Sequence, residues 1–110
     1  MTNKIHIEGF YEFSFENGQE ITAQELKAIY DKKNYFINID LTEERFSPKI
    51  TLFSATELNE APGGIIRIDN QSSKTSLLVW DPNSQPIKVM PGDTCSVHGT
   101  KNYGWAIHFS

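Results

Sequence analysis

Leu78-Val79-Trp80, Ile87-Lys88-Val89, Cys95-Ser96-Val97 and Trp105-Ala106-Ile107-His108-Phe109 each place apolar side chains at alternate positions, and polar Asp81-Pro82-Asn83, Pro91-Gly92-Asp93 and Gly99-Thr100-Lys101-Asn102-Tyr103-Gly104 lie between them. A period of two is that of a strand with one face buried, and Pro, Gly, Asp and Asn are the residues of tight reversals. The last third of the chain therefore reads as a β-meander.

Upstream, the same periodicity recurs. Ile65-Ile66-Arg67-Ile68-Asp69, Lys49-Ile50-Thr51-Leu52-Phe53 and Tyr35-Phe36-Ile37-Asn38-Ile39-Asp40 read as strands, as do Lys4-Ile5-His6-Ile7 and Tyr11-Glu12-Phe13-Ser14-Phe15 around a turn at Glu8-Gly9. One segment departs from it. In Ile21-Thr22-Ala23-Gln24-Glu25-Leu26, Thr22 and Glu25 have the spacing of a capping box, and Ile21 with Leu26 that of a hydrophobic staple. A helix follows to about Lys33, with Leu26, Ile29 and Tyr30 as its apolar side. Residues 55–64, rich in Glu, Asn, Pro and Gly, read as a crossover between layers.

The expected fold is mainly β, α+β by content: a two-layer antiparallel β-sandwich or flattened barrel of roughly nine strands, with one α-helix at about residues 22–33. A chain of 110 residues suits a single β-sandwich-like domain spanning residues 1–110. Its 38% hydrophobic and 22% charged residues fall in the globular range. Fourteen acidic against ten basic residues give a net charge of -4, which disfavours phosphate backbones, so no nucleic-acid partner is expected. No apolar run approaches a membrane span, and His6 and Glu8 interrupt the N-terminal apolar residues. The expected location is cytoplasmic, or exported without a recognisable signal peptide.

Because a meander reverses at each turn, the loops at 81–86 and 99–104 should share one end of the domain. That brings Trp80, Asp81, Asn83 and Gln85 toward Asn102 and Tyr103. Amides and a carboxylate beside aromatic faces suit sugars, whose hydroxyls take directional hydrogen bonds while a ring covers the C–H face. The first functional reading is thus a non-catalytic, carbohydrate-binding, lectin-like module using these six residues. The competing view of this region makes Trp80 and Trp105 core anchors and the polar residues mere turn formers.

A second functional reading is an inhibitor or immunity protein that binds a basic protein. It rests on the acidic stretch from Glu8 to Glu25, in which Glu8, Glu12 and Glu16 share strand parity. A third is a structural subunit of a larger assembly in which strand edges pair between chains, a homo-oligomer included. Asp69-Asn70-Gln71-Ser72-Ser73-Lys74 has the outline of the calcium loop of βγ-crystallin domains, but Lys74 replaces the final Ser, and a cation there disfavours a bound one. His6, His98 and His108 lack ligand spacing, so no metal is expected, and no cofactor motif occurs. Gly63-Gly64 lacks the Lys of a phosphate loop, and Glu43-Glu44 would point apart in an extended segment. Cys95 alternates with polar Ser96 as a small buried side chain. No catalytic residue is assigned.

Overall fold

Eight of these segments form strands in the computed structural model, which describes residues 9–110. They are β1 (Phe10–Glu12), β2 (Phe36–Leu41), β3 (Lys49–Thr51), β4 (Gly64–Asn70), β5 (Ser76–Val79), β6 (Ile87–Val89), β7 (Thr94–Thr100) and β8 (Gly104–Phe109). The helix α1 spans Ala23–Asp31, and a single 3-10 turn spans Ala55–Glu57. The expected strand at residues 4–7 lies outside the described residues.

The capping box is formed as the spacing predicts. Thr22 Oγ1 accepts from the Glu25 N–H at 3.2 Å, and Glu25 Oε1 accepts from the Thr22 N–H at 3.1 Å. Ile21 and Leu26 are both buried. At the other end Lys33 adopts a left-handed conformation, φ 68°, and Asn34 Nδ2 donates to the Ile29 carbonyl, which closes the last turn.

The strands make two sheets, one ordered β1-β2-β4-β7-β8 and one ordered β3-β5-β6. Both are mixed rather than antiparallel: β1 with β2, β2 with β4 and β3 with β5 run parallel. The connections explain this departure. A two-residue turn can join only antiparallel neighbours, whereas a long excursion brings the chain back in the same direction. Helix α1 is the excursion between β1 and β2. Between β2 and β4 the chain visits the second sheet to make β3, and between β3 and β5 it visits the first to make β4. The meander is accordingly divided. β5 pairs β6 in one sheet and β7 pairs β8 in the other, and the turn at Pro91-Gly92-Asp93 carries the chain across. Residues 55–64 make the layer crossing read from their composition.

One apolar cluster joins the layers. Ile37, Ile39, Ile66, Ile68, Cys95 and Val97 come from the larger sheet, Ile50, Leu78 and Val89 from the smaller, and Leu26 and Tyr30 from the helix. Asn70, fully buried at the end of β4, stands among them. Its Nδ2 donates to the Lys74 and Val89 carbonyls at 2.8 and 2.9 Å, and its Oδ1 accepts from the Ser72 N–H and hydroxyl at 3.0 and 2.7 Å. Both donors and both lone pairs of the amide are used, so burial leaves nothing on it unsatisfied. This is also what the calcium-like hexapeptide does in the fold: its Asn70 oxygen is occupied from within the loop.

Asn70→Ala removes four hydrogen bonds, three of them buried, and takes the amide away from the Val89 carbonyl and the Ser72 N–H; the Lys74 carbonyl keeps its bond from the Ser72 hydroxyl. A loss of about 3 kcal/mol in unfolding free energy is expected from urea denaturation, with Asn70→Asp recovering only part of it because it restores the acceptor and not the donors.

Candidate functional site

The turn after β5 and the loop between β7 and β8 meet at one end of the sandwich and line a groove of about 870 Å³. The β5 side supplies Val79, Trp80, Asp81 and Pro82, and the β7–β8 loop supplies Lys101, Asn102, Tyr103, Gly104 and Trp105. A third wall, residues 51–57 with Ala23 of α1, completes it.

The two tryptophans are neither wholly core nor wholly exposed. Each packs one part against the core and lines the groove with the rest. Trp105 is held by its indole N–H, which donates to the Phe53 carbonyl at 2.9 Å, and by edge-on packing on the Phe53 ring at 5.6 Å. Phe53 in turn packs on Tyr30 at 5.5 Å. The Tyr30 hydroxyl donates to the Gly63 carbonyl and accepts from the Asn59 N–H. The groove wall is therefore braced from the helix side by buried aromatic rings with their polar atoms satisfied.

The β7–β8 loop owes its tightness to glycine. A Cβ on Gly99 would collide with the Gly104 carbonyl oxygen, and one on Gly63 with the Gly99 carbonyl oxygen. Three backbone segments thus approach more closely than a side chain permits, and Gly63-Gly64 serves this packing. The loop projects from the glycine contact with Tyr103 at its tip, 91% exposed.

Of the six residues singled out from the sequence, Trp80, Asp81, Asn102 and Tyr103 line the groove. Asn83 and Gln85 are exposed but stand outside the lining. The reason is local. Asp81 Oδ1 accepts from the Asn83 N–H at 2.9 Å and the Asp81 carbonyl from the Ser84 N–H at 3.1 Å, which turns the chain away after Pro82. Sequence reasoning missed the third wall. Ser54 and Thr56 contribute hydroxyls 2.8 Å apart, and Glu57 a second carboxylate. The signal was a Ser at the N-cap of the turn at Ala55–Glu57, inside a segment whose composition says only that it is a connector.

Elsewhere, Glu12 and Glu16 are exposed and alternate with buried Phe13 and Phe15, so strand-like parity persists past the end of β1. Glu25 is committed to the helix cap and to Gln19 Nε2 at 3.0 Å. Glu8 and His6 lie outside the described residues. Glu43 accepts from the Ser73 N–H and hydroxyl. His98 and His108 stack face to face, 4.8 Å apart, on the outer side of the larger sheet. Among the described residues no three His, Cys, Asp or Glu side chains gather as a metal site. No described helix is long and apolar enough to cross a membrane.

No family model matches the chain, and no curated protein matches it. Among solved structures, the crystal structure of StcE(132-251) from enterohemorrhagic E. coli is similar, with a TM-score of 0.60 over 83% of this chain and 88% of that one, at 17% identity. At that identity the likeness is one of fold.

Cys95 is the single thiol, and it is fully buried. Burial, with a smaller contribution from Asp93, pushes it up from its ordinary 9.0 to about 11. The unfolded chain ionises first as pH rises, so the neutral thiol favours the fold below pH 9.0, and that contribution is lost as pH climbs toward 11. Between pH 8 and pH 10.5 the native protein should lose about 2 kcal/mol more than Cys95→Ala does in urea titrations. A disulfide-exchange reagent should label the thiol only after denaturation.

Proposed function

We propose that this chain is a non-catalytic binding module that takes a carbohydrate in the groove between residues 51–57, 80–82 and 101–105. The observation that carries the reading is the convergence on one open groove of three aromatic side chains, Trp80, Tyr103 and Trp105, with the side chains of Ser54, Thr56, Glu57, Asp81, Lys101 and Asn102. A pyranose offers an apolar C–H face and a rim of hydroxyls, which are both donors and acceptors. Tyr103, the most exposed of the rings, is the stacking platform. Asp81 and Glu57 accept from hydroxyls, Lys101 donates, and Asn102, Ser54 and Thr56 can do either. The indole N–H of Trp105 is already spent on Phe53, so that ring contributes its surface and not a hydrogen bond.

Tyr103→Ala removes an exposed ring and leaves the fold alone, while Asn102→Ala removes one amide. On a glycan array the wild-type protein should bind a restricted set of sugars, and each variant should bind those sugars about tenfold more weakly, the equivalent of ~1.4 kcal/mol. No glycan bound by folded wild-type protein, or equal binding by both variants, would reject the reading.

The exposure of Glu12 and Glu16 on one parity favours a second reading, capture of a basic protein at that face. For such a partner, Glu12→Lys combined with Glu16→Lys should slow association and flatten its dependence on salt, as measured by surface plasmon resonance, with no effect on sugar binding.

A further inference from the structure

Among the described residues the two sheets end in four edge strands, and three of them are blunted. β1 is three residues long and ends on Glu12, and β6 is three residues long, follows Pro86 and centres on Lys88. β3 starts with Lys49 after Pro48, and Ile21 already occupies its outer side, donating to the Lys49 carbonyl and accepting from the Thr51 N–H. Short length, charge, proline and local cover are the usual protections of a sheet edge.

β8 has none of them. It runs for six residues, Gly-Trp-Ala-Ile-His-Phe, with no Pro, Lys, Arg, Asp or Glu. It pairs residue for residue with β7 from Thr100↔Gly104 to Cys95↔Phe109, without a bulge. Phe109 is 47% exposed, and Ala106 and His108 are exposed as well. Among the described residues, nothing pairs with its outer side.

The backbone polarity of that side follows from the register. Ser110 and Thr94 exchange both N–H···O bonds, so alternate residues of β8, His108 and Ala106, bond inward to β7 as Ser110 does. The N–H and C=O of Trp105, Ile107 and Phe109 therefore point outward. These are also the residues whose side chains belong to the core side of the sheet.

We propose that β8 pairs antiparallel with β8 of a second copy of this chain, about a twofold axis through Ile107, to make one continuous ten-stranded sheet. Any extended strand has the spacing these outward groups need; what this strand adds is that its side chains also match a second copy of itself. In that register Ile107 faces Ile107 of the second copy and Trp105 faces Phe109, so every outward N–H and C=O of the three residues finds a partner. The apolar side chains then form one seam on the core side, with an aromatic pair at each end. On the outer side Ala106 faces His108, a pairing without like charges. The alternative, an extended segment of another protein added to the same edge, would use the same backbone groups but has no such match in this chain.

The interface is small, so a weak dimer is expected. Sedimentation equilibrium of the wild-type chain from low micromolar to near-millimolar concentration should show a monomer–dimer equilibrium. Phe109→Lys, at a half-exposed position, and Ala106→Lys, at an exposed one, should each weaken it at least tenfold without changing the circular dichroism spectrum. Ala106→Cys with His108→Cys tests the register directly, because these positions face each other as a close, non-hydrogen-bonded pair; oxidation should give a covalent dimer. A wild-type chain that stays monomeric throughout overturns the proposal. So does a dimer that survives both lysine variants, because it must use another face, and so does a double-cysteine chain that oxidises without cross-linking in a dimeric sample.

Discussion

Two of the connections between the sheets, the turn from β4 to β5 and the turn from β6 to β7, are tied together at Asn70. Its main chain bonds the turn between β6 and β7, through the Asp93 carbonyl and the Gly92 N–H, and its side chain bonds the turn between β4 and β5 and the end of β6. A buried amide with four partners is stable only in one arrangement of those partners, because any shift that breaks a bond leaves an unsatisfied group in a dry interior. The apolar residues around it, Ile39, Ile68, Leu78 and Val89 among them, supply most of the burial but little direction. Hydrophobic contact tolerates sliding of one layer on the other, whereas the Asn70 network does not. It sets the registry of the two sheets, and that registry decides which loops meet at the ends.

The groove is a consequence at a distance. β5 belongs to the smaller sheet and β8 to the larger, so the turn carrying Trp80 and Asp81 and the loop carrying Asn102 and Tyr103 adjoin only if the layers are aligned. Trp105 locks that alignment from the groove side through Phe53, which follows β3 of the smaller sheet. A groove built this way is carried on loops but held by two braced layers, an arrangement that needs little rearrangement to receive a ligand. The same alignment leaves β8 as a long, uncharged edge beside the groove, so sugar binding and self-association would sit on adjoining surfaces and share Trp105.

Much of the fold was legible along the chain. Among the described residues each period-two segment became a strand in whole or in part, Thr22 and Glu25 marked the helix start within a residue, and the Glu-, Asn-, Pro- and Gly-rich stretch at 55–64 did cross between layers. These features are local: alternation, capping and turn chemistry act over a few residues, and each residue type carries its own conformational preference. Strand direction was not legible. Parallel pairing depends on where the chain goes between two strands, and no residue within β2 or β4 records that β3 lies in the other sheet.

For the site, the chain alone determined that Trp80 with Asp81 and Asn102 with Tyr103 sit where strands end in polar turns, because those turns are written in Asp-Pro-Asn and in glycines flanking polar residues. Only the tertiary structure decided that these turns share a groove, that Asn83 and Gln85 stand outside it, and that Ser54, Thr56 and Glu57 form its far wall. Those facts depend on contacts across tens of residues, set by the packing of two sheets and by a buried amide, and a distance in space of that kind has no counterpart in the spacing of residues along a chain.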